Sequence, residues 1–145
     1  MQPVEFYNLA DDWFKNGPNN VEALHRSIVS RAYYAVHLEA RRNVPAHALG
    51  GVGISVHKAI CDYFRYSGKP GHVEIGNRIL NLLTRRTDAD YEMGKPIRRG
   101  HATEALQRAY WILTNDFSVP LPPRTPPSAP APPGGPIVPS AAGGS

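Results

Sequence analysis

Arginine and histidine are the residue types of metal-independent phosphodiester cleavage. A guanidinium neutralises phosphate charge, and an imidazole moves a proton near neutral pH. The stretch RSIVSRAYYAVHLEARRN, Arg26 to Asn43, holds such a pair in Arg31 and His37, six residues apart. A second arginine-bearing stretch is RRTDADYEM, Arg85 to Met93, whose one ring hydroxyl is that of Tyr91. A phenol, with its pKa of about 10, is a poor base at neutral pH. His57 and Lys58 stand at a helix start, where backbone amides favour phosphate; local capping or packing of His57 is the competing expectation. Arg85, Arg86, Lys95, Arg98, Arg99 and His101 form a basic stretch, read either as an RNA-backbone patch or as a solvated loop. One cysteine and six scattered histidines offer no ligand spacing, so neither a metal site nor a cofactor is expected. The loop GGVG lacks the strand and lysine of a phosphate loop.

Helices must position these groups, since strand signals are nearly absent. Phe6, Leu9, Ala10, Trp13 and Phe14 form a helical stripe over Val4 to Asn16, stopped by Gly17-Pro18. A second helix runs from about Val21 to Asn43 and ends at Val44-Pro45, because the residue before proline avoids helix. Ser55 is a cap for a third, to about Tyr66. A fourth covers roughly His72 to Thr87, and TDADYEMGKPIRRG is a polar connection to a fifth, from about Thr103 to Phe117. The pattern predicts an all-α protein, a four- to five-helix bundle over residues 1–118.

At about 100° per residue, Val21, Leu24, Ile28, Ala32, Ala35 and Leu38 share one stripe of the second helix, and Arg31 falls within it. His37 lies about 120° away, on a face shared with Arg26, Ser30 and Tyr33, so Arg31 and His37 diverge within one chain. An arginine in a core stripe needs a carboxylate. The expectation is a clamp from Arg31 to Asp90 or Asp88. Tyr33, Tyr34 and Val36 add apolar surface around the helix, which predicts a homodimer that covers it.

Residues 119–145 hold ten of the fifteen prolines and a single charge, Arg124, so this segment is expected to be a disordered Pro-rich tail. The spacing Pro120 to Pro123 permits polyproline docking to an aromatic groove. The net charge of +4 is compatible with nucleic acid. No apolar run approaches the roughly 18 to 20 residues of a membrane span. With one cysteine and an acidic start, a cytoplasmic location is expected.

SRAYYAVH, then HKAICDYF, then Leu82-Leu83 before RRTDADYE, and a closing alanine-rich helix, together resemble the HEPN domain family, in its small single-domain prokaryotic branch. The resemblance covers roughly Val4 to Phe117. It implies a helical bundle that dimerises. Many members are metal-independent endoribonucleases, often toxins, with an arginine, four to six intervening residues and then a histidine, near the start of the last long helix. Others bind RNA or nucleotides and pair with minimal nucleotidyltransferases. Here the matching place is Arg86 to Tyr91, with tyrosine where the cleaving members hold histidine. Three functions follow as expectations. The first is an RNA- or nucleotide-binding component of a toxin–antitoxin or defence-type pair, with a nucleotidyltransferase-like partner and a degenerate nuclease motif. The second is an active metal-independent endoribonuclease toxin, with His37, His57 or His101 supplied across a dimer. The third is a non-catalytic scaffold that recruits through its tail.

Overall fold

Five α-helices carry the chain, with no strand among the described residues. They are α1 (Pro3–Asn16), α2 (Glu22–Arg42), α3 (Val56–Tyr66), α4 (His72–Tyr91) and α5 (Arg99–Trp111). A 3-10 turn at Ala46–Ala48 follows α2, and a π-helical turn, Ile112–Asp116, prolongs α5. The computed structural model describes residues 1–51 and 53–124. Gly17 and Pro45 lie just beyond α1 and α2, and Ser55 caps α3 by accepting from the Lys58 amide. Among the described residues, no helix is long and apolar enough to cross a membrane.

α2 is the central helix, packed against α1, α4 and α5, while α3 lies mainly on α4. It buries Ile28, Val29, Ala32, Tyr33, Ala35, Val36 and Ala40 on more than one face, as a helix surrounded by neighbours must. Gly76 lets α3 come close to α4: a Cβ there would stand 3.0 Å from the Cys61 carbonyl oxygen and 2.5 Å from Arg65 Cγ.

The structure differs from expectation in four places. α4 does not end at Thr87 but continues through RRTDADY to Tyr91, and α5 starts at Arg99 rather than Thr103. The cause is tertiary. Arg26, on α2, donates from Nη1 to the carbonyls of Asp88 (3.1 Å) and Ala89 (2.9 Å) and reaches those of Glu92 and Lys95. The Ala89 carbonyl is one that the helix C-terminus leaves without an amide partner, while those of Asp88 and Glu92, which already accept the Glu92 and Lys95 amides, gain a second, charged donor. Ala89 is buried beneath this cap, so the extra turn is packed as well as capped.

Arg31 is not a core clamp. Asp90 binds Arg86 and Ser30, and Asp88 binds Lys95. Arg31 is half-buried, with its guanidinium 6.0 Å from the Phe6 ring centroid. Its stripe neighbours Leu24 and Leu38 are themselves only half-buried, so this edge of α2 reaches solvent and the long side chain keeps its charge wet. Of the three residues expected to add apolar surface around α2, Tyr33 and Val36 are fully buried inside the single chain and Tyr34 is half-buried.

The bundle also does not stop at residue 118. Val119 donates its amide to the Leu113 carbonyl at 2.8 Å, and Val119 and Leu121 pack on the core. Tyr110 Oη donates to the Pro122 carbonyl at 3.1 Å, and Arg124 reaches Tyr7 and Asp11. The expected disorder of the remaining tail lies outside the described residues.

Arg26, not Arg31, is therefore the structural arginine. Arg26→Ala leaves two α4 carbonyls, those of Asp88 and Ala89, and two beyond it without a charged donor, and should cost about 2–3 kcal/mol in urea unfolding. Arg31→Ala should stay within about 1 kcal/mol of the parent. Equal losses for the two variants would contradict this assignment.

Candidate functional site

Arg26, Ser30, Tyr33, Tyr34 and His37 recur at helical spacing along the side of α2 that meets α4 and the start of α3. Each meets a partner from another element or from its own turn. Tyr33 is fully buried, and its hydroxyl lies 2.7 Å from His57 Nδ1 and 3.4 Å from His37 Nδ1. The two imidazoles stack, with centroids 4.2 Å apart and planes 32° apart. Tyr34 stands edge-on to both. From α4, Arg86 places its guanidinium 5.9, 5.4 and 5.3 Å from the ring centroids of Tyr33, Tyr34 and Tyr91. Its Nε sits 2.7 Å from Asp90 Oδ2, an ion pair whose N–H is poorly aligned, and Ser30 Oγ donates to the same carboxylate oxygen at 3.1 Å.

The protonation states follow from burial. His37 is 5% exposed, and its pKa is lowered to about 4, first by burial and then by the charges of His57, Arg41 and Arg86. His57 is lowered by burial and by Arg86. Burial pushes the Tyr33 phenol up. At neutral pH the group is two uncharged imidazoles bridged by one uncharged phenol. A hydroxyl has one proton, so it donates to one Nδ1 and accepts from the other. Such a cluster has hydrogen-bond donors and acceptors, but little imidazolium at neutral pH to act as an acid.

The other basic residues are dispersed. Lys58 pairs with Asp62, and Arg85 lies 3.1 Å from Glu104. Lys95 lies 2.9 Å from Asp88, and Arg99 sits 3.9 Å over the Phe14 ring. His101 accepts the Arg98 amide at 2.9 Å, and Arg98 is exposed. Most of these cations answer the chain's own carboxylates or rings, so the expected patch is broken up. Arg31 and His37 are not brought together; His37 meets His57 and Tyr33 instead. Tyr91 is 65% exposed beside Arg86. Among the described residues, no three His, Cys, Asp or Glu side chains converge as metal ligands would.

The roles of Tyr33, Tyr34 and Ser30 were not anticipated from sequence. The face shared by Arg26, Ser30, Tyr33 and His37 was the available signal for them. The approach of His57 had no local signal, because 24 residues separate it from Tyr33. Compared with known proteins, the chain matches no family model, no curated protein and no solved structure.

In the unfolded chain His37 titrates near 6.5, and in the fold near 4. Between these values the unfolded state binds more protons, so stability rises with pH. The contribution is complete above pH 6.5 and is lost as pH falls toward 4. Thermal melts should therefore drop from pH 7 to pH 5, and His37→Gln should flatten that slope. An unchanged slope in the variant would show that His37 is not the buried neutral group.

Proposed function

We propose that this chain is an RNA- or nucleotide-binding helical module of the HEPN type, with Arg86 and Tyr91 at its binding surface and no histidine at the motif position. The observation that carries this reading is the setting of Arg86, a guanidinium beside three tyrosine rings, one of them open to solvent. Cations flanked by exposed aromatics suit nucleic acid, because the charge meets phosphate and the ring stacks on a base. Asp90 engages Arg86 through Nε and Tyr34 Oη accepts one Nη2 hydrogen at 3.5 Å, so Nη1 and the second Nη2 hydrogen are the donors left for a phosphate. The family resemblance adds a nucleotidyltransferase-like partner in a toxin–antitoxin or defence-type pair, and a homodimer. Tyr91 at the end of α4 and Met93 in the turn just beyond it, 65% and 67% exposed, give apolar surface for such contacts.

One observation favours the alternative of an active endoribonuclease. His37 and His57 stack next to Arg86 within a single chain, so a second subunit need not supply them. The His37 pKa of about 4 makes it a weak base, which argues for slow cleavage. The scaffold reading rests on a tail whose first part, Val119 to Arg124 with its Pro120–Pro123 spacing, is seated on the bundle, and whose remainder lies outside the described residues.

Structured RNA in EDTA tests the two readings together. The natural chain should bind with an affinity that falls as salt rises, and Arg86→Ala should weaken binding about tenfold or more. Cleavage should be slow or absent, and Tyr91→His should raise it. Robust cleavage by the natural chain, lost in His57→Ala, would establish the ribonuclease reading instead. Binding unchanged in Arg86→Ala would refute both.

A further inference from the structure

The segment PLPPR, Pro120 to Arg124, returns over the crevice between α1 and α5. Proline has a fixed φ and no amide proton, so such a segment joins no helix or ladder, and its carbonyls look to side chains for donors. Here Tyr110 Oη donates to the Pro122 carbonyl at 3.1 Å. Arg124 Nη1 donates to Tyr7 Oη at 2.6 Å and to Asp11 Oδ1 at 2.8 Å. The Tyr7 and Tyr110 rings lie 6.1 Å apart, and Leu121 packs on the core. Aromatic walls, a hydroxyl for a proline carbonyl and a carboxylate for a terminal arginine are the chemistry by which extended proline-rich segments are read.

One feature distinguishes this crevice from a plain strap. It is not filled: a cavity of about 410 Å³ remains beside the seated segment, extending to Phe14, Arg99 and Thr103. That volume is within the range of ligand sites, roughly 300–1,000 Å³. The segment also leaves the bundle through Ser118, whose φ of 55° is the single positive value at a non-glycine among the described residues. The left-handed serine, with the Val119 amide bonded back to the Leu113 carbonyl, ends the helix and turns the chain back toward the crevice.

We infer that the α1/α5 crevice is a recognition site for a proline-rich, arginine-terminated segment of a partner protein, and that Pro120–Arg124 of this chain closes it in cis. The cis segment is the ligand's own chemistry, and Asp11 supplies the charge that reads the arginine. Because the connection is short, the cis segment competes at an effective concentration on the order of millimolar. A partner segment therefore binds measurably only when the cis segment is displaced.

The test is fluorescence anisotropy with a labelled synthetic peptide, SVPLPPR, added to the full chain. The parent should bind weakly. Arg124→Glu, which turns the cis arginine into an acid facing Asp11, should bind the peptide at least tenfold more tightly. Adding Asp11→Asn to that variant should remove the gain. Circular dichroism melts report whether each variant folds, and Leu121→Ala, which weakens the cis segment's own packing and leaves the crevice intact, serves if Arg124→Glu does not; it should show a smaller gain in the same direction. Equal binding by parent and folded variants, or none by either, would make the segment a structural strap and overturn the inference. A parent dimer that becomes monomeric in Arg124→Glu without gaining peptide binding would also overturn it, in favour of exchange between copies.

Discussion

The Arg26 guanidinium at the end of α4 is the interaction on which the site depends. A helix C-terminus exposes carbonyls that must find donors, and TDADY has weak helix formers at Thr87, Asp88 and Asp90. With Arg26 supplying the donors, the last turn of α4 forms and Ala89 packs inward. Only then do Arg86 and Asp90 stand four residues apart on a helix, the spacing at which their side chains meet. The Ser30 hydroxyl, one turn beyond Arg26 on α2, holds the same carboxylate. Capping, ion pair and hydroxyl are thus successive contacts along one seam between two helices.

Farther along that seam the chemistry changes from charged to neutral. Arg86 and Asp90 keep 12% and 25% of their side-chain surface, enough for water to reach the pair. Tyr33 and His37 are buried, where an unpaired charge costs far more than an uncharged polar group. The cluster meets this cost by staying neutral and satisfying its polar atoms mutually. The Arg86 charge nearby reinforces neutrality, since it opposes protonation of both imidazoles. The arrangement that makes the cluster stable therefore also weakens it as an acid–base pair, and the binding reading rests on this conflict as much as on Tyr91.

The helices were legible because their evidence is local: apolar periodicity, Gly17-Pro18, Val44-Pro45 and the Ser55 cap each act within a few residues. What was not legible was tertiary. The end of α4 depends on a side chain 62 residues away, and no local propensity reports that. Arg31 was misread because a helical wheel cannot show which part of a stripe is roofed by a neighbour. The polar face of α2 was visible as a face, but its partners were not: His57 arrives through the α2–α3 connection, and Arg86 through the packing of α4. Residues 119–124 were misread for a related reason. Composition measures how little surface a segment can bury alone, and takes no account of an aromatic crevice elsewhere that accepts it.

α1 links the two regions. Phe6 and Tyr7 are consecutive on a helix, so their side chains point about 100° apart. Phe6 lies 6.2 Å from the Tyr34 ring and 6.0 Å from the Arg31 guanidinium, at the edge of the Arg86 cluster. Tyr7 bonds Arg124 and stacks near Tyr110 on the other side. One turn of α1 therefore packs against both regions, with Phe6 walling the Tyr34 edge of the cluster and Tyr7 holding Arg124. Because packed side chains leave little free volume, the position of α1 fixes both walls at once, and the seam that Arg26 begins and the crevice that Arg124 closes share one rigid element.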